Sequence, residues 1–175
     1  LIFLPFLLFV PLLIKLTSPG PAYFRQTRIG KGGKPFEMLK FRTMHVDAPK
    51  YSVSPKPHDD PRLTRIGRLL RRSSVDELPQ LFNVLRGDMS VVGPRPEMPF
   101  IVDRYDAIIR QRLTVKPGMT GLWQISHARE EDIHENVDFD LYYVENASIT
   151  MDLVIVLLTV FSVLRDDKAL VDYLS

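Results

Sequence analysis

The chain is predicted to be an α+β protein, mainly helical with a small antiparallel β-hairpin. Three observations lead to that class. Two runs of strand character, Tyr23 to Ile29 and Pro35 to Met44, flank the glycine-rich turn Gly30-Lys31-Gly32-Gly33-Lys34. Helical patterns occupy Pro61 to Arg72, Leu78 to Leu85, Met98 to Val115 and Glu135 to Asn146. Long apolar stretches lie at both ends, Leu1 to Leu16 and Ile149 to Leu164. At 175 residues the chain is long enough to bury a core, and one domain is expected. It has no cysteine, which excludes a disulfide framework and a thiolate metal site.

The N-terminal run is interrupted only by Pro5, Pro11 and Lys15. Sixteen helical residues rise about 24 Å, short of the ~30 Å hydrocarbon core of a bilayer. Proline within a helix removes a hydrogen bond and bends it. A short, bent, apolar helix suits entry into one leaflet and return, and a truncated transmembrane helix is the alternative. No Lys or Arg precedes the run and no small-residue cleavage site follows it, so a signal peptide is not expected, whereas further residues upstream are.

The Gly30 to Lys34 segment reads as a turn; no helix follows it to complete a phosphate cradle. Lys40 and Arg42 alternate with apolar residues and are expected on one strand face, as site walls or phospholipid contacts. Residues 45–61 form a loop, with Pro49, Pro55, Pro57 and Pro61 in it. His45 and His58 there have no partners at metal-ligand spacing. The next helix is expected to start at Pro61 with Asp60 as its cap. Leu63, Ile66 and Leu70 share one stripe of it, and Arg65, Arg68 and Arg72 another. Basic amphipathic helices are commonly membrane-surface elements.

The stretch from Ser73 to Pro96 carries the chemistry. The adjacent carboxylates Asp76 and Glu77 follow Arg62, Arg65, Arg68, Arg71 and Arg72 closely. Such acids beside guanidinium groups suit phosphate and a hard cation, with one acid attacking and the other holding the metal. Ser74-x-x-Glu77 also fits a helix capping box, and Asp76 could itself be an N-cap. Leu78, Leu81, Phe82 and Leu85 share a helix face, with Gly87 suited to end the helix. Val91-Val92 reads as a short buried strand. In Pro94-Arg95-Pro96 the prolines fix the backbone and hold Arg95 in place, which favours a recognition role. Charges within Met98 to Val115, Arg112 among them, read as a solvated face. Asp152, Thr159 and Ser162 fall near one stripe of the last apolar stretch, read as an interfacial helix with a core helix as rival.

The chain resembles the bacterial sugar transferases, the monotopic phosphoglycosyl transferases that act on polyprenyl phosphate. The resemblance rests on Ser18 to Gln26 (SPGPAYFRQ), Arg28-Ile29-Gly30 and Leu39 to Met44 (LKFRTM). It continues in Ser74 to Ser90 (SVDELPQLFNVLRGDMS) and Val92 to Pro96. Beyond these come Lys116 to Gly121 (KPGMTG), Trp123-Gln124 and Asp140 to Tyr143 (DLYY). It implies a re-entrant membrane helix at residues 1–17, bent at Pro5, and a cytoplasmic-face catalytic domain at residues 18–175, with 149–164 an interfacial or core helix.

The resemblance further implies transfer of a sugar 1-phosphate from a UDP-sugar to polyprenyl (undecaprenyl) phosphate at the bacterial inner membrane. Asp76 would be the nucleophile. Glu77, with Asp76, would hold Mg2+, and Arg71 and Arg95 would contact phosphate. Lys40, Arg42, Thr120 and Gln124 complete the implied substrate-binding set, with Asp140 a partner for a site arginine. Where many relatives have Gly-Arg after the glutamine, this chain has Ser126-His127-Ala128-Arg129 and then acids, so Arg129 stands in a shifted register. Which sugar is used is therefore left open, as is a homo-oligomer. The rival classes are a non-catalytic protein binding anionic lipid and a Mg2+-dependent diphosphatase. A net charge of +2 and the apolar segments argue against a nucleic-acid partner.

Overall fold

The computed structural model describes residues 4–50, 60–126 and 136–165. The chain divides into two compact units, residues 1–26 with 37–83 and residues 27–36 with 84–175. The predicted hairpin is present: β1 (Tyr23–Ile29) pairs with β2 (Pro35–Phe41) across a tight turn at Lys31–Gly33. Gly32 and Gly33 take φ of 68° and 76° there, a left-handed conformation that glycine adopts without steric cost. The base of the hairpin belongs to the first unit and its tip to the second.

In the first unit, α1 is described over Leu4–Thr17, with Pro11 in its interior. Val10 and Ile14 pack with Ala22, Phe41 and Leu70, joined by Leu7, Ile66, Val75 and Leu78. Phe6, Leu8, Phe9, Leu12, Leu13 and Leu16 remain exposed. No described helix is long and apolar enough to cross a membrane.

The second helix begins later than the sequence predicts. It is α2 (Arg65–Arg72), and its cap is Thr64, whose side chain accepts the Gly67 N–H at 2.9 Å. The reason is non-local. His45 N–H donates to Arg62 O and Thr64 N–H to Thr43 O, so residues 62–64 are held extended beside 43–45. Asp60 instead accepts the Arg62 N–H and guanidinium, which lower its carboxyl from 3.8 to about 2. A depressed carboxyl adds stability above its unfolded value, and that increment is lost as pH falls through about 2. Asp60→Asn is expected to flatten the decline in thermal midpoint over that acid window, read by unfolding scans.

The α3 helix (Gln80–Arg86) falls close to its expected span. Phe82 and Leu85 on its apolar face are exposed, Leu85 by 82 %, while Gln80 and Asn83 are buried. Asn83, 0 % exposed, accepts the Leu39 N–H at 3.0 Å and donates to Glu37 O at 2.7 Å. Buried backbone groups of β2 need those partners, and their satisfaction outweighs burying leucine. Asn83→Leu is expected to destabilise the fold by about 2 kcal/mol in chemical denaturation. Gly87, at φ 84°, ends the helix as expected.

In the second unit, β3 (Ser90–Val92) pairs in parallel with β4 (Gly118–Thr120). The helix expected over Met98 to Val115 is broken into α4 (Pro99–Val102) and a 3-10 segment at Ile109–Thr114. The Asp106 carboxylate accepts the N–H groups of Ile108 and Ile109, which restarts the chain in a new direction. Then follow α5 (Leu122–Ile125), α6 (Asp138–Asn146) and α7 (Ile149–Arg165). Val92, Ile125, Tyr143 and Ile155 form the core. The polar stripe of α7 faces this unit: Asp152 accepts the Tyr143 hydroxyl at 2.8 Å, Thr159 bonds Thr120 at 2.7 Å, and Ser162 is buried. Leu153, Leu157, Val160 and Phe161 are among its exposed apolar residues.

Candidate active site

The carboxylate pair sits where α2 ends. Ser74 takes φ 56°, a left-handed conformation usually left to glycine, and turns the chain into the 3-10 segment Val75–Glu77. The Ser74 side chain makes no cap bond, so the capping box is not formed; the Glu77 N–H instead reaches Ser74 O at 3.2 Å. Asp76 is 6 % exposed. Glu77 is half-buried and accepts the Lys40 ammonium at 2.7 Å. A strained non-glycine residue ahead of a carboxylate pair is the kind of constraint found where orientation matters. Ser74→Gly is expected to raise stability by roughly 1 kcal/mol while lowering turnover, read by unfolding and steady-state assays on the same preparation.

The other basic residues of this unit divide. Arg71, in the last turn of α2, donates Nε to Thr43 Oγ1 at 2.9 Å. Arg42 follows the end of β2 and turns toward Ser18 and Pro19 rather than joining Lys40. It donates to Pro19 O at 2.7 Å, Ser18 O at 2.9 Å and Ser18 Oγ at 2.5 Å. Its guanidinium thereby braces the turn before β1, where Gly20 has φ 106° and an added Cβ would overlap it.

Arg95, Thr120 and Gln124 belong to the second unit. The Arg95 guanidinium lies over the Trp123 ring, 5.9 Å from its centre. Thr120 is buried against Thr159, and Gln124 donates weakly to Met119 O at 3.5 Å. The Gln124 Oε1 and Trp123 Nε1 atoms are buried without a partner among the described residues. Arg129 lies outside the described residues.

Asp140 pairs with an arginine as expected, but the partner is Arg112, which stands in a mixed charge run that reads as solvated. The guanidinium also donates to Tyr105 Oη and to Arg95 O. Burial pushes the Tyr105 phenol up to about 12, so it stays a neutral hydroxyl. Burial also raises the Asp140 carboxyl, and Arg112 opposes that shift.

Among the described residues, no group of three or more His, Cys, Asp or Glu side chains is placed to hold a metal ion. Asp76 and Glu77 alone would therefore offer two carboxylates to a metal. Two hard oxygen donors fit Mg2+ when phosphate oxygens and waters complete its shell.

The bacterial sugar transferase family model matches residues 1–166. The chain belongs to the bacterial sugar transferase family. Among its relatives is the UDP-glucose:undecaprenyl-phosphate glucose-1-phosphate transferase of Caulobacter vibrioides, 48% identical over 96% of this chain and 66% of the relative. The UDP-N-acetylgalactosamine-undecaprenyl-phosphate N-acetylgalactosaminephosphotransferase of Aeromonas hydrophila is 41% identical over 93% of this chain and 40% of its own. The exopolysaccharide production protein PSS of Rhizobium leguminosarum is 48% identical over 96% and 90%. The chain thus spans from under half to nine-tenths of these relatives' lengths.

Proposed function

We propose that this protein moves a sugar 1-phosphate from a UDP-sugar to polyprenyl (undecaprenyl) phosphate, releasing UMP and forming polyprenyl-diphosphate-sugar. The observation that carries the proposal is the buried Asp76 beside Glu77, with Lys40 on Glu77 and Arg71 nearby in the chain. The names of the relatives support the donor and acceptor classes.

A carboxylate oxygen of Asp76 attacks the sugar-bearing phosphorus, and the bond from that phosphorus to the UMP oxygen breaks. The acyl phosphate so formed carries the sugar. An oxygen of polyprenyl phosphate then attacks the same phosphorus, and the bond to Asp76 breaks, restoring the carboxylate. Mg2+, held by Glu77 with Asp76, supplies charge neutralisation on the diphosphate when bound. Lys40 orients Glu77 through its ammonium contact. Arg71 and Arg95 grip phosphate oxygens through their forked donors. Arg42, Thr120, Gln124 and Arg129 complete the substrate-binding set, Arg42 by bracing the turn at Ser18-Pro19.

The acceptor is a lipid and the donor is water-soluble, so the reaction belongs at a membrane surface, here the cytoplasmic face of the bacterial inner membrane. The exposed apolar faces of α1 and α7 support contact with lipid. The test is UMP release from a panel of UDP-sugars, including UDP-glucose and UDP-N-acetylgalactosamine, with Mg2+ and undecaprenyl phosphate in a membrane mimic. One donor should give acceptor-dependent UMP and a lipid-linked sugar, and chelation should stop both. UMP or sugar phosphate formed without acceptor at the same rate would indicate hydrolysis instead. Silence with every donor would sink the proposal. Lys40→Met is expected to lower kcat by roughly 10- to 100-fold in this assay, by freeing Glu77 from its partner.

A further inference from the structure

The Pro94-Arg95-Pro96 segment is tied by all three of its carbonyls, each to a different part of the second unit. Pro94 O accepts the Gly118 N–H at 2.9 Å. Arg95 O accepts Nη2 of Arg112 at 2.9 Å, and Pro96 O accepts Nη1 of Arg28 at 3.0 Å. The next carbonyl, Glu97 O, accepts the Ile29 N–H at 2.9 Å. Prolines on both sides fix φ and supply no N–H, so these carbonyls are the segment's main handles.

Both guanidinium donors are themselves anchored by buried acids. Arg112, 2 % exposed, pairs with Asp140, 1 % exposed, and Arg28 lies 3.6 Å from Glu97. A buried ion pair is weak support for stability, because apolar residues of the same volume often serve the fold as well. Apolar residues cannot aim donors at two adjacent carbonyls. Arg112 reaches Asp140, Tyr105 and Arg95 O together, which a planar fork permits and a single ammonium does not.

We propose that Arg112, held by Asp140, is a positioning residue: it sets the main chain of Arg95 so that its guanidinium is aimed from the Trp123 face before a diphosphate arrives. Arg28 with Glu97 forms the second tie of the same segment. The inference rests on the reading of Arg95 as a donor contact.

Trp123 is the chain's single tryptophan, so its fluorescence reports on the Arg95 side chain directly. The experiment compares Arg112→Lys, Asp140→Asn and Arg95→Ala, singly and as Arg112→Lys/Arg95→Ala, in the full chain. Each is checked for folding by thermal unfolding, then read by Trp123 emission and by KM and kcat for the UDP-sugar. Arg112→Lys should raise donor KM roughly tenfold with a smaller change in kcat. It should also shift Trp123 emission, and in the Arg95→Ala background add little to either. Asp140→Asn should show the same pattern more weakly, and it carries the test if Arg112→Lys does not fold. If Arg95→Ala is impaired but Arg112→Lys adds its full effect on top, the positioning role is overturned while the reading of Arg95 stands. If Arg95→Ala leaves donor KM and turnover unchanged, the reading of Arg95 fails and the proposal with it.

Discussion

Asp76→Asn is expected to abolish the sugar-labelled protein adduct and to lower transfer by roughly a thousandfold or more, with the fold retained. Asparagine matches aspartate in shape, so a buried turn residue that is 6 % exposed can be replaced with little repacking. It lacks the anionic oxygen that would attack phosphorus. The measurement is incubation of wild type and variant with Mg2+ and a radiolabelled UDP-sugar, without acceptor, followed by denaturing separation. Label on wild type alone supports attack by Asp76. Undiminished label on the variant would move the nucleophile elsewhere. Product without any label, once undecaprenyl phosphate is added, would replace the two-step route by direct transfer. Glu77→Gln is a useful companion, because it removes a proposed metal ligand and the partner of Lys40 while leaving Asp76 in place.

Gly67→Ala is expected to have the largest effect on stability, about 3 kcal/mol, equivalent to a fall in thermal midpoint on the order of 10 °C. Gly67 is buried on α2, and a Cβ there would overlap the main-chain carbonyl of Thr43. Backbone cannot swing aside as a flexible side chain can. The helix would have to retreat from residues 43–45, loosening the Thr64 N–H to Thr43 O bond and the Arg71 bond to Thr43 Oγ1. The turn bearing Asp76 and Glu77 follows α2 directly, so activity should fall as well. Gly33→Ala is the control. Its added Cβ meets nothing within 4 Å, and only the left-handed φ of 76° is penalised, by about 1 kcal/mol. Equal losses at the two positions would show that backbone conformation, not the close approach to Thr43, governs Gly67.

Much of the local structure was legible because its causes are local. The hairpin follows from alternating residues around a glycine turn. The faces of α2 follow from the spacing of its apolar residues and arginines, with Leu70 buried, Ile66 half-buried and Arg65, Arg68 and Arg72 exposed. Gly87 ends α3 through its own backbone freedom. Family membership was legible because the motifs recur in order along the chain, and the match over residues 1–166 shows it.

What the sequence could not announce are the pairings between distant segments. The start of α2 was set by strand-like bonds from residues 43–45, which outcompeted Asp60 and Pro61. The face that α3 buries is set by Asn83, which pairs with two backbone groups of β2. The break after α4 and the parallel β3–β4 pair carry no periodic signal of their own. Arg112 looked solvated until the fold placed Asp140, Tyr105 and the carbonyl of Arg95 around it. By itself the sequence determined elements whose stabilising contacts lie within a few residues. Tertiary structure decided every case in which a buried polar group had to find its partner far along the chain, because that requirement leaves no trace in local spacing.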